Sequence, residues 1–133
     1  MKEHAFRLKC GDDLKNSIIA YCDQHHIKSA VVISAVGSVS AVCIRKAKAE
    51  TIFRDKKDYE ILSLNGTIAR GKAHLHIAVA DEKMKTIGGH LMPETIVNTT
   101  AEVIILEMET CQFDREFDET TGYDELVVIC KHN

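Results

Sequence analysis

Three of the seven histidines fall within the stretch AHLHIAVADEKMKTIGGHLMP, Ala73 to Pro93, together with two adjacent glycines and the only proline. His74 and His76 lie two apart in an apolar run. Strand side chains alternate between faces, so both rings project from one face. The polar stretch Asp81-Glu82-Lys83-Met84-Lys85 then turns the chain back as a hairpin. With that turn centred near Lys83, His90 comes opposite His76. Three imidazoles then meet on one patch, a ligand set that holds zinc or another divalent metal and leaves a fourth position for water or substrate. The plainer arrangement of the same residues is a group of half-buried histidines, each hydrogen-bonded to a neighbour. The position of His90 rests on that register, because a slip of one residue turns it to the opposite face.

Hydrolysis at such a metal needs a base. Glu102, in the apolar segment IVNTTAEVIILEM, is the candidate catalytic residue, because a carboxylate among so many apolar neighbours is costly to bury unless paired. It would support a histidine, act as a base, or simply accept a hydrogen bond from a nearby threonine or the backbone. The chain has no nucleophile motif, phosphate-binding loop or dinucleotide fingerprint, so neither a substrate nor a bound organic cofactor is indicated.

The elements that would position these residues follow from the pattern of apolar residues. A length of 133 residues and an apolar share of 45% describe one globular domain, residues 1–133, with a sizeable core. His4 to Lys9 forms a first strand. Gly11-Asp12-Asp13 opens a helix with acidic residues in its first turn, and Leu14, Ile18, Ile19 and Cys22 give it one buried face. The helix ends near His25 and His26, which sit at a solvated terminus rather than in a ligand set. Ala30 to Ala47 is a long strand bent at Gly37. The basic residues from Arg45 to Lys57 are interleaved with Glu50, Asp55 and Asp58 and read as a solvated hairpin tip. Tyr59 to Ala69 and Ile96 to Met108 are further strands. Cys111 to Asp124 reads as a polar loop, Leu126 to Cys130 as a short closing strand, and Lys131-His132-Asn133 as a frayed tail. One helix and at least six strands without βαβ alternation give an α+β domain on a largely antiparallel sheet, with one main N-terminal helix.

Net charge is −3, which provides no general attraction for nucleic acid, and the chain lacks both an AT-hook core and a helix-turn-helix pattern. No apolar run is long enough to span a membrane, and the N-terminus lacks the apolar segment of a secretory signal. The five cysteines are widely spread, with no short metal-binding spacing, as expected of small buried residues in a reducing cytoplasm.

The order FRLKCGDDL, SAVGSVS, YEILSLNGT, HLHIAVAD, GGHL, TAEVIILE and REFDETTGYDEL resembles the plants and prokaryotes conserved (PPC) domain across almost the whole chain. The resemblance implies an α+β, mostly antiparallel fold assembled as a homotrimer, with His74, His76 and His90 as metal-site candidates. In plant members of that family, the segment that Tyr59 to Leu62 resembles helps mediate protein contacts. Prokaryotic members often carry a DNA-binding label, so a DNA-binding or transcription-associated regulator is the alternative to a metal-binding module with an unknown small-molecule ligand. Met84 departs from the family's pattern, where the turn commonly has glycine; a left-handed conformation there would strain a methionine.

Overall fold

The computed structural model describes residues Met1 to Lys131; His132 and Asn133, part of the expected tail, lie outside the described residues. Nine strands and one helix follow in the order β1 (Lys2–Lys9), α1 (Leu14–Gln24), β2 (Ser29–Arg45), β3 (Ile52–Asp55), β4 (Tyr59–Ala69), β5 (Lys72–Ala80), β6 (Thr86–Leu91), β7 (Ile96–Glu107), β8 (Cys111–Asp118) and β9 (Tyr123–Cys130). The fold is α+β on an antiparallel sheet, as the apolar patterning predicts. The main sheet runs β1-β7-β2-β4-β5-β6, with β3 paired to β2.

The 17-residue strand β2 organises this sheet. Its first part pairs with β4 from Ser29 to Val39, and its last residues, Ile44 and Arg45, pair with Leu91 and His90 of β6. Because β4, β5 and β6 follow one another as a meander, the second pairing closes β2-β4-β5-β6 into a ring. The strand must bend to reach both partners. It does so through register shifts against β7 between Val32 and Ser34 and on either side of Val39. Gly37, at φ +153°, allows the close approach: a Cβ there would lie 1.9 Å from the Thr100 carbonyl oxygen. A bulged strand with a glycine at the contact is the usual solution.

Alternation then sorts the side chains. Leu64, Ile68, Leu75, Ile77, Val79, Ile44 and Leu91 point into the ring and are buried. Helix α1 contributes Leu14, Ile18 and Cys22 to the same core. Its start differs from the sequence expectation. Asp12 and Asp13 precede the helix rather than occupying its first turn, and the Asp13 carboxylate accepts a 2.9 Å hydrogen bond from the Asn16 N–H as the N-cap. This is the position where an aspartate satisfies an otherwise unpaired helix donor. His25 caps the other end, and exposed His26 takes φ 57° as the chain leaves the helix.

The stretch expected as a polar loop, Cys111 to Asp124, is instead β8, a tight turn and the start of β9. The two strands pair in register from Cys111↔Cys130 to Asp118↔Tyr123. Its many acidic residues hid the strand because most of the hairpin's side chains face solvent, so charge costs nothing there. The turn is built by Asp118, whose carboxylate accepts from the Thr120 N–H at 2.8 Å, and by Gly122 at φ +78°. A Cys111–Cys130 disulfide closes the hairpin base, contrary to the expectation of scattered free cysteines; Cys22 and Cys43 are buried and free, and Cys10 is exposed. The hairpin docks on the main sheet through the Phe113 N–H to Ser29 Oγ (2.8 Å), the Arg115 guanidinium to Thr67 Oγ1 (2.9 Å) and an Arg70–Asp114 ion pair at 3.2 Å. No helix among the described residues is long and apolar enough to cross a membrane.

Candidate metal centre

The β5–β6 hairpin has the register anticipated from the turn: His76 lies opposite His90. Met84 makes that turn at φ 62° with its side chain exposed, and the Asp81 carboxylate accepts from the Lys83 and Lys85 N–H groups at 2.9 Å. Since Leu75 and Ile77 face the core, His74 and His76 face outward. His90 joins them from the neighbouring strand. The three rings have centroids 5.1, 5.1 and 5.6 Å apart, and one nitrogen from each lies within 4.8 Å of the others.

These residues fit a metal ion on two grounds. Zinc–imidazole bonds of about 2.0–2.1 Å in a tetrahedron place ligand nitrogens about 3.3 Å apart, a closure within reach of small side-chain rotations. Moreover, Nδ1 of His90 is buried and has no hydrogen-bond partner. An orphaned buried polar atom costs about 1–3 kcal/mol. Burial, then the charges of Arg45, Lys15, His74 and His76, push the His90 imidazole down to about 4, so the ring is neutral at pH 7 and one of its nitrogens presents a lone pair. Partial burial also lowers His74, followed by the effects of His76 and Arg115, while Glu125 opposes them.

Ring closure and hairpin docking bring to the site residues that the sequence pattern assigned elsewhere. Arg45, read as part of a solvated basic tip, is the register partner of His90. Arg115 reaches over β4 to Thr67, which is itself paired with His74. Arg45, His74, His90, Arg115, Tyr123 and Glu125 line one cavity of about 280 Å³, and Lys72 and Asp124 line it too. The Arg45 guanidinium stands 5.9 Å from the Tyr123 ring centroid. Beyond His90, Lys15 of α1 is half-buried, its Nζ donating to the Leu91 carbonyl at 3.4 Å. Burial and the neighbouring Arg45 charge lower its ammonium from the ordinary lysine range. No periodicity signals these partners, because each arrives from a different element.

Glu102 is not brought to this site. It sits on β7 opposite Arg7 and Val36, its side chain is exposed, and β2 and β4 intervene between β7 and β5. The burial cost that made it a candidate base is therefore absent. His25 and His26 are also apart from the triad, at the exposed end of α1.

Fold and site together define a small antiparallel α+β domain with an outward-facing histidine cluster. The model of the Plants and Prokaryotes Conserved (PCC) domain matches residues 1–109, and the chain belongs to that family. It is 36% identical over 126 residues to the bifunctional protein GlmU of Synechococcus sp. (strain JA-3-3Ab), covering 95% of this chain but only 20% of that protein. The chain thus spans about a fifth of the length of the curated relatives it matches. Among solved structures it is similar to the hypothetical protein from Salmonella enterica (33% identity, TM-score 0.93, covering 98% of this chain and 95% of that one). A metal-containing protein from Archaeoglobus fulgidus shares the fold at 24% identity and TM-score 0.76, covering 96% and 94% of the two chains.

Proposed function

We propose that this protein is a metal-binding module in which His74, His76 and His90 hold a divalent ion. The observation that carries this reading is the convergence of three imidazoles from two strands on one outward face. The orphaned Nδ1 of His90 supports it further. Zinc suits an all-imidazole set with a free fourth position, where a bound ion would act as a Lewis acid toward a coordinated water or ligand. The chain's own residues supply the ligands, the cation-lined cavity beside them and the dry wall beneath. Glu102, the candidate base, lies away from the site, and the reading stops at binding.

Elemental analysis of untagged protein, after zinc loading and removal of excess, tests this reading beside a His74→Ala/His76→Ala variant. The expected result is about one zinc per chain, lost in the variant. A metal-free wild type would overturn it.

A DNA-associated role receives less support. Arg54 pairs with Glu94 at 3.4 Å and Lys57 with Asp81 at 3.1 Å, so part of the basic charge between Arg45 and Lys57 is neutralised. We further propose self-association as a homotrimer. Ile33, Val36 and Ile104 lie exposed on β2 and β7, and Phe117, Val128 and Ile129 are exposed on the β8–β9 hairpin. Apolar surface of this kind commonly marks contact with another subunit. Light scattering on the eluting protein should give three times the chain mass; a monomer at micromolar concentration would refute it.

A further inference from the structure

The three histidines are neutral ligands, so a divalent ion held by them keeps its full charge. Around that charge the fold places more cations, not fewer. Arg45 is half-buried beside His90, Arg115 is half-buried where β8 crosses β4, and Lys15 is half-buried on the far side of His90. Among the described residues none of these three cations forms an ion pair with a carboxylate. Arg115 spends one donor on the neutral Thr67 hydroxyl, and Arg45 lies near the Tyr123 ring. Of the two acids lining the cavity, Asp124 is taken by Lys72 at 3.4 Å. The other, Glu125, accepts the Thr121 hydroxyl at 2.9 Å.

With Asp124 committed to Lys72, Glu125 is the one lining acid left to face the unpaired charges of Arg45 and Arg115. Such an excess of cations in a partly desolvated site ordinarily means that further negative charge arrives with a ligand. Guanidinium groups are suited to that task because their planar forks match the oxygens of carboxylates and phosphates. A cavity of about 280 Å³ that touches two of the histidines and both arginines has room for a small molecule.

We infer that this cavity is the binding site for a small oxyanion-bearing ligand, a carboxylate or phosphate, whose anionic group lies between the metal position and the guanidinium groups of Arg45 and Arg115. The inference rests on the metal reading above and adds the ligand class to it. Hairpin β8–β9, carrying Arg115, Tyr123 and Glu125, is the wall that selects the ligand, and Tyr123 is its apolar face. The metal and the arginines act on the same oxygens, so each strengthens the other's share of the binding.

The test loads the full chain with Co²⁺ and follows its visible absorption during titration with inorganic phosphate and, separately, with acetate. Metal content is measured in the same samples. Wild type should show a saturable spectral change with at least one of the two anions, and the preferred anion tells a tetrahedral from a planar oxyanion site. Arg45→Gln and Arg115→Gln should keep their cobalt and each bind the anion roughly ten-fold or more weakly, the loss expected for one charge-assisted contact. Arg45→Lys and Arg115→Lys, which retain the charge but not the fork, should fall between. Cobalt bound without a saturable response to either anion overturns the inference alone. Equal anion affinity in wild type and both glutamine variants also overturns it. Failure of the wild type to bind cobalt overturns the metal reading and this inference with it.

Discussion

Gly66 offers a direct way to disturb the histidine site from behind. It lies on β4 opposite Leu75, at φ +142°, and a Cβ there would sit 2.0 Å from the His74 carbonyl oxygen and 2.9 Å from the Leu75 Cα. Both contacts are backbone, so no side-chain rotation relieves them; β5 must move away from β4. The conformation itself costs about 1–3 kcal/mol for a residue with a Cβ, and overpacking of this kind about 1–3 kcal/mol more. Gly66→Ala should therefore destabilise the fold by roughly 2–6 kcal/mol, against a total of roughly 5–15 kcal/mol for a typical domain. With an unfolding entropy of about 2.1 cal/mol/K per residue, each kcal/mol is worth about 3–4 °C here. The melting temperature should fall by roughly 7–21 °C. Because the displaced atoms belong to His74 and its neighbour, metal binding should weaken as well, since ligand distances tolerate only about 0.2 Å of error. Gly11→Ala is the control. Gly11 has φ +91° but open space around its missing Cβ, so only the conformational cost applies. Thermal melts and metal analysis of both variants decide the matter. A Gly66→Ala protein that melts with the Gly11→Ala control and keeps full metal content would refute the reasoning.

Four further outcomes follow from the same contacts. Saturating zinc at about 100 times its dissociation constant should stabilise the protein by about 2.7 kcal/mol, read as a rise in melting temperature that chelator reverses; a zinc-independent melt would count against the triad. In metal-free protein, His90 resists protonation in the fold, so the unfolded chain binds the proton more readily between pH 6.5 and about 4. Stability should therefore decline as pH falls below 6.5 and the His90 contribution should level off below about 4, a slope that His90→Gln should flatten in paired urea melts. Met84→Gly relieves a left-handed conformation at an exposed position and should stabilise by up to about 1 kcal/mol; a lower melting temperature would contradict the strain assigned there. Reducing the Cys111–Cys130 disulfide, which closes a loop of sequence separation 19, should cost roughly 3 kcal/mol, checked by melts with and without reductant and against Cys111→Ser/Cys130→Ser.

The histidine hairpin was legible because everything that sets it is local. Alternation places His74 and His76 on one face, the Asp81–Lys85 turn sets the return, and together they put His90 opposite His76 without reference to any other element. The strands Tyr59–Ala69 and Ile96–Glu107 were legible for the same reason, since their β-branched and apolar residues are read within one segment. Hairpin β8–β9 was hidden because a strand exposed on most of its surface needs no apolar alternation, and its acidic residues resemble those of a loop.

Which residues surround the histidines was a different kind of question. Arg45 reaches His90 only because β2 bends at Gly37 and closes a ring onto β6, a contact between residues 45 apart in the chain. Arg115 arrives only because a distant hairpin docks on β4. Glu102 looked like a buried acid because its neighbours in sequence are apolar, yet the tertiary structure turns its side chain to solvent on the far part of the sheet. The sequence by itself determined the histidine cluster, because that cluster is built by short-range periodicity and one turn. The tertiary structure alone decided the charge around it, because electrostatic neighbours are chosen by distance in space and long-range strand pairing sets that distance.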